Sequence, residues 1–381
     1  MNQECWNPGS ETGFLINPDP LENLAKIETG FAHQKATELE DISEQLPRLV
    51  KTGEIRPVLS ELDIHDVSVL EDCSALRVVE RAFQIYSHFA NAYVWCDEGN
   101  PTDHIPEGVA IPLVQLANIV ERPPILPYAT TSLCNFKRIN PDGEIRVDNL
   151  QCIQKIVGIP DESWFHLIHV EIEAHAAKAI QACITASKAI DTQDGTGVRE
   201  ALSEIPGAFV KMMKTFNRMG EHCKPEVYYF TLRPYLFGFN NIIYKGVDEY
   251  EGKPQTFRGE SGAQSTVIPA IKAYLGLQHE RGGLSEHLEI MKNYMPKPHR
   301  ELIANIDAVK IRNFVINCDE KTLTDKYNAC LKSVFAFRSL HLKMVAEYVS
   351  KRVENPIGTG GTEFMHWLKK LRDETAQQYL N

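Results

Sequence analysis

An all-α fold divided into two domains is predicted by three features of the chain. Apolar residues recur every three or four positions over several long stretches, no run alternates apolar and polar residues as strands require, and no internal repeat is present. At 381 residues, with 43% hydrophobic and 24% charged side chains, the chain has ordinary globular composition and enough length for one large or two ordinary domains.

In chain order, Leu21, Leu24, Ile27, Phe31 and then Leu39, Ile42, Leu46, Leu49 predict two amphipathic helices. Ser74 predicts the N-cap of a periodic helix carrying Val78, Ala82, Ile85, Phe89 and Ala92, ending before the polar stretch 97–103. Five prolines between 105 and 133 predict short pieces of irregular backbone, and their apolar company predicts a segment lining a pocket or joining domains. After the turn at 140–144 the composition shifts to long helices, which places a domain boundary near residue 150: a small, mostly helical unit over 1–150 and a large helical unit over 151–381. In the second unit, Phe165, His169, Ile172, Ala176, Ala179 and Cys183 share one face of a helix over 163–190, and a further helix spans 198–219 with an irregularity at Pro206 and Gly207. Residues 225–239 crowd six aromatics around Arg233. A Gly-rich loop at 252–266 feeds a helix over 267–277, and GTGGT at 358–362 precedes an amphipathic helix with Phe364, Trp367, Leu368 and Leu371.

The last long helix, residues 324–350, carries the most informative pattern. Tyr327, Leu331, Val334, Phe337, His341, Val345 and Tyr348 form its apolar stripe, so His341 lies within that stripe. A buried neutral imidazole needs a carbonyl, a carboxylate or a metal. A core histidine bonded to a carbonyl is one outcome. The other is an axial ligand, because His341 and His169 on two apolar faces suit the two sides of a haem. A third arrangement, His166, His169 and Glu173 within about one and a half turns, has the spacing of a non-haem iron triad. Among aromatics, Arg233 is either an internal ion pair or an anion-binding group.

The net charge of −11 and the lack of a basic run argue against a nucleic-acid partner. Nine scattered cysteines, none in a CxxC pair, predict reduced thiols in a cytoplasmic protein, and no apolar run approaches the ~18 residues of a membrane span. Nucleophile elbows and phosphate-transfer motifs are absent.

Together, RGESGAQS (258–265), YMPKPHR (294–300), YNAC (327–330), RSLH (338–341) and GTGGT (358–362) resemble, in this order, the indoleamine 2,3-dioxygenase family. The resemblance runs from about Arg122 to the C-terminus and is weaker before it. It implies a two-domain, all-α haem b enzyme of the kynurenine pathway, which cleaves the indole C2–C3 bond of L-tryptophan with O2 to give N-formylkynurenine and needs an electron donor to keep its iron ferrous. By position, His341 resembles the proximal ligand to the metal and Arg338 a partner of a haem propionate, while Ser261 and Gly262 fall where the family's loop runs past the haem edge and the substrate. Arg233 resembles the arginine that holds the substrate carboxylate. Tyr128, Thr131, Phe165 and Tyr228 match positions around the indole, and Thr359 belongs to the lid. Three positions depart from the mammalian pattern. His169 replaces a small hydroxyl residue, which makes this side more like tryptophan 2,3-dioxygenase and gives it an expected catalytic role as a hydrogen-bonding group. Thr131 stands where Cys is frequent and Glu260 where Gly is frequent. The same resemblance admits a haem protein that mono-oxygenates another indole or only binds O2.

Overall fold

The structure, a computed structural model, describes residues 4–26, 33–70, 76–97, 100–280, 282–352, 358–359 and 365–381. Its principal helices are α1 (His33–Thr52), α2 (Leu76–Trp95), α3 (Glu107–Val120), α4 (Pro160–Asp191), α5 (Gly195–Asn217), α6 (Val267–Tyr274), α7 (Lys321–Tyr348) and α8 (Met365–Ala376). The fold is all-α, as the periodicities predict. Buried apolar side chains from Trp6 to Val349 form one contiguous core.

Helix α4 begins at Pro160, three residues before the expected start. Pro160 occupies the first turn, where a missing N–H costs nothing, and the Glu162 carboxylate accepts the backbone N–H groups of Ile156 (2.7 Å), Val157 (3.0 Å) and Gly158 (2.6 Å), closing the preceding loop onto the helix. At its other end three residues suffice to reverse the chain. Asp194 caps α5 by accepting the Gly197 N–H at 2.9 Å, so α4 and α5 form an antiparallel hairpin against which α7 packs.

Helix α7 is pinned at both ends by tyrosine hydroxyls. Tyr327 donates to the Leu275 carbonyl and accepts from Arg312 Nη1 at 3.0 Å, while Tyr348 donates to the Cys223 carbonyl at 2.8 Å. The stripe is fully buried at Tyr327, Leu331, Val334 and Tyr348, but half-buried at Phe337, His341 and Val345 in between. The middle of the helix therefore faces the site rather than solid core.

Four expectations are corrected. The helix expected to carry Leu21 and Leu24 is, where the chain is described, only the 3₁₀ turn Leu24–Lys26. Residues 107–120 are one helix with Pro112 inside it, not a set of irregular pieces; Gly108, one turn earlier, lies so close to the Leu62 carbonyl that a Cβ would stand 2.0 Å from it, and this tertiary packing outweighs the proline penalty. Pro206 likewise sits within an unbroken α5. A small sheet exists that the sequence did not announce: Phe239–Tyr244 pairs antiparallel with Gln255–Phe257 and parallel with His104–Ile105. Its strands are too short, and its register too irregular, for alternation to show. The predicted cap Ser74, most of 358–362 and Phe364 lie outside the described residues.

That sheet leads into two glycines whose backbones touch. A Cβ on Gly238 would stand 2.4 Å from the Phe257 carbonyl oxygen, and one on Gly259 2.3 Å from that of Leu236. Only glycine allows this approach. Gly259→Ala should therefore cost about 1–3 kcal/mol by forcing the two segments apart. An unchanged denaturant midpoint would show that the contact is dispensable.

Candidate functional site

Two π-helical turns shape the site. One, Ala129–Leu133, follows Tyr128 and contains Thr131, whose hydroxyl donates to the Tyr128 carbonyl at 3.3 Å. The other, Tyr228–Leu232, begins at Tyr228 and delivers Arg233 into a following 3₁₀ turn. Widened turns of this kind leave the regular ladder and concentrate at functional sites.

These turns and α4 assemble an aromatic wall. Phe165 lies 4.7 Å from Tyr228 and 4.7 Å from His169 by ring centroids, and Tyr128 meets His169 edge-on at 5.9 Å. Tyr348 of α7 closes one end, 5.9 Å from Tyr228. Phe216 of α5 lies between the two histidines, 6.4 Å from His169 and 6.1 Å from His341. Thus Tyr128, Phe165, His169 and Tyr228, separated by up to 100 positions in the sequence, form one surface.

The chemistry of the two histidines differs. His169 Nδ1 lies 2.7 Å from the Phe165 carbonyl, which can only accept, so Nδ1 carries the proton and Nε2 keeps its lone pair. Burial also pushes the His169 pKa down, so the ring is neutral. His341 is pushed down to about 4 by burial and by His169. Among the described residues it has no protein hydrogen-bond or ion-pair partner, which sets aside the carbonyl-bonded core histidine. A neutral imidazole with free nitrogens, braced by the Phe216 ring, has the donor chemistry of an axial haem ligand.

Arg233 is 4% exposed, with its guanidinium carbon 5.0 Å from the rings of both Tyr229 and Phe237. Its charge also reaches the Tyr228 hydroxyl, whose pKa burial and Glu260 raise and Arg233 lowers. The loop expected at the haem edge is pinned by its own polar groups: Ser261 Oγ accepts the Ala263 N–H at 3.2 Å, and space beside Gly262 is open. Thr359, from the predicted lid, donates its hydroxyl to the Glu260 carbonyl.

Arg338 is one turn before His341, and protein groups engage its guanidinium. Nη1 donates to the Leu371 carbonyl (2.7 Å) and to Thr375 of α8, and Nη2 donates to His279 Nε2 (3.2 Å), whose Nδ1–H donates in turn to Glu374 (2.6 Å). The structure thus ties the His341 helix to the C-terminal helix through Arg338. Sequence reasoning missed His279 and Glu374, which are 59 and 36 residues away from it.

The non-haem triad does not form. Glu173 turns from the histidines, its Oε1 accepting the hydroxyls of Tyr128 (2.9 Å) and Ser265 (2.6 Å), while Oε2 is buried without a partner and burial raises the carboxyl pKa to about 7. His166 sits opposite, buried near His88 and held neutral by burial, its pKa down at about 3. No group of three His, Cys, Asp or Glu side chains among the described residues has the arrangement of a metal site.

A family model described as indoleamine 2,3-dioxygenase matches residues 4–378. The indoleamine 2,3-dioxygenase of Saccharomyces cerevisiae is 30% identical, covering 99% of this chain and 93% of its own length. Indoleamine 2,3-dioxygenase 1 of Rattus norvegicus is 28% identical over 99% of this chain and 96% of its own length. A myoglobin of Haliotis madaka is 26% identical over 98% of this chain and 97% of its own length. On the match along almost its whole length, this chain belongs to the indoleamine 2,3-dioxygenase family of enzymes.

Proposed function

We propose that the protein is a haem-dependent dioxygenase that opens the indole C2–C3 bond of L-tryptophan, or of a related indoleamine, with O2 to give N-formylkynurenine. The observation that carries this reading is the single surface formed by Tyr128, Phe165, His169 and Tyr228, with the neutral His341 beyond Phe216 and the buried Arg233 flanked by the rings of Tyr229 and Phe237. Flat aromatic faces suit an indole, which binds by offset or edge contact with such rings. Arg233 meets the carboxylate with two parallel N–H···O bonds. His341 holds the haem, Ser261 and Gly262 border it, and Arg338 braces the helix that carries the ligand. When bound, haem supplies the activation of O2. Thr359, already fastened to the Glu260 carbonyl, closes the lid side and excludes water.

His169 is the acceptor for the indole N–H. Its Nδ1–H is committed to Phe165, so Nε2 is the atom left to receive a proton donor. Loss of one such bond costs about tenfold in kcat/KM. With 1-methyl-tryptophan, which has no indole N–H, that bond never forms. His169→Ala should therefore erase most of the enzyme's preference for L-tryptophan over the methylated compound, and a preference that survives the substitution would assign His169 another role.

A second reading, storage or transport of O2, draws on the similarity to the myoglobin of Haliotis madaka. An oxygen store has no need of a buried arginine beside an aromatic wall. Incubating the purified protein with L-tryptophan, O2 and a reductant separates the two: N-formylkynurenine accumulates under the first reading and not under the second. Absence of a haem absorption band would defeat both. We further propose a cytoplasmic location, supported by eight described cysteines that are all free thiols, an external electron donor, and a boundary near residue 150 between a small N-terminal and a large C-terminal domain. No helix among the described residues is long and apolar enough to cross a membrane.

A further inference from the structure

Glu260 is an acid in the wrong surroundings. It is 4% exposed, and its carboxylate has no hydrogen-bond or ion-pair partner among the described residues. Buried carboxylates are ordinarily paired, because burial without a partner disfavours the charged form. Here burial alone pushes the Glu260 pKa up to about 7. Its backbone is fixed on three sides. Its N–H donates to the Leu236 carbonyl at 3.0 Å, its own carbonyl receives the Thr359 hydroxyl, and the preceding Gly259 is wedged against Gly238.

The place where it is held matters. Leu236 closes the 3₁₀ turn that starts at Arg233, so the Glu260 backbone is fastened to the segment that carries the arginine. Burial raises the pKa of both Tyr128 and Tyr228, the two phenols that bound the aromatic wall, and the Glu260 charge, after that of Glu173 at Tyr128, adds to the rise. A buried acid is thus held beside the same wall as a buried arginine. An amino acid carries the complementary pair of charges on one carbon.

We infer that the Glu260 carboxylate receives the α-ammonium of the substrate, so that Glu260 and Arg233 together recognise a zwitterionic indole amino acid. This rests on the indole-binding reading above and adds to it a determinant of specificity. The ammonium supplies the missing counter-charge, and the buried carboxylate is stabilised only in the complex. Indole acids without an amine leave it unpaired and gain nothing from it.

The test is equilibrium binding by calorimetry to the full-length, haem-loaded protein, using L-tryptophan, tryptamine and indole-3-propionate as probes. Glu260→Gln keeps the shape and removes the charge. The expected result is a loss of about 10- to 100-fold in affinity for L-tryptophan and tryptamine, the scale of one charge-assisted hydrogen bond, with indole-3-propionate unaffected. Retained binding of indole-3-propionate also shows that the variant is folded. Equal loss for all three compounds would mean that Glu260 only shapes the loop, and no loss for any would mean that the ammonium lies elsewhere; either overturns the inference while leaving the indole site intact. A wild-type protein that binds none of the three overturns the indole-binding reading itself, and this inference with it.

Discussion

His341→Ala should yield a folded protein that purifies with roughly tenfold less haem, or less still, than the wild type, and that takes up added haem poorly. The reasoning starts from α7. Its ends are held by Tyr327 and Tyr348 through hydroxyl bonds that His341 does not touch, so the helix survives the truncation. Its middle loses only a half-buried ring whose contact is the face of Phe216, and such a change costs far less than emptying a core site. What is lost is the lone pair. A neutral imidazole, kept so by a pKa near 4, offers that lone pair at every pH where the enzyme is expected to work. Exogenous imidazole should restore part of the haem binding, because it returns the same donor to the space left by the side chain. Haem content per protein, read from absorption, is the measurement. A variant that purifies with full haem would remove His341 from the ligand position, whatever its activity.

The helices were legible because burial on one face leaves a period. The stripe Phe165, His169, Ile172, Ala176 predicted α4 to within three residues at its start, and the stripe of α7 predicted both the helix and the histidine within it. The same logic fails where a helix is covered on more than one side. His166 falls off the α4 stripe, yet it is 3% exposed because α4 runs through the interior and its other face packs near His88. Proline was over-read as a breaker in α3 and α5, where tertiary packing decides. Long-range polar ties were not legible at all. Glu173 meets Tyr128 and Ser265 from 45 and 92 residues away, and Arg338 meets His279 from 59, separations that no local pattern encodes. Glu260 is the sharpest case. Set among Arg, Gly and Ser it is compatible both with an acid near the substrate entrance that favours an ammonium-bearing substrate and with one facing solvent, and only the docking of Gly259 on Gly238 turns it inward.

Arg233→Ala is the substitution from which the largest selective loss of activity is expected. The side chain is fixed before substrate arrives, flanked by the rings of Tyr229 and Phe237 and set at the exit of a π-helical turn, so little rotamer freedom remains to be lost on binding. Two charge-assisted bonds to a carboxylate contribute about 1.5–3 kcal/mol each, and together they correspond to a fall of about 10²–10⁴ in kcat/KM for L-tryptophan. Tryptamine has no carboxylate. Its turnover, however slow in the wild type, should change little in the variant, and the ratio of the two substrates is the quantity to measure. Arg233→Lys separates charge from geometry: it restores the positive charge but not the planar fork, and should recover only part of the activity on L-tryptophan. Equal losses on L-tryptophan and tryptamine would instead assign Arg233 to support of the surrounding aromatic turn. Full activity on L-tryptophan would remove the carboxylate clamp from the mechanism. Glu260→Gln acts on the opposite charge of the same amino acid, so the two variants should discriminate in mirror image: the arginine variant spares tryptamine, and the glutamine variant spares indole-3-propionate.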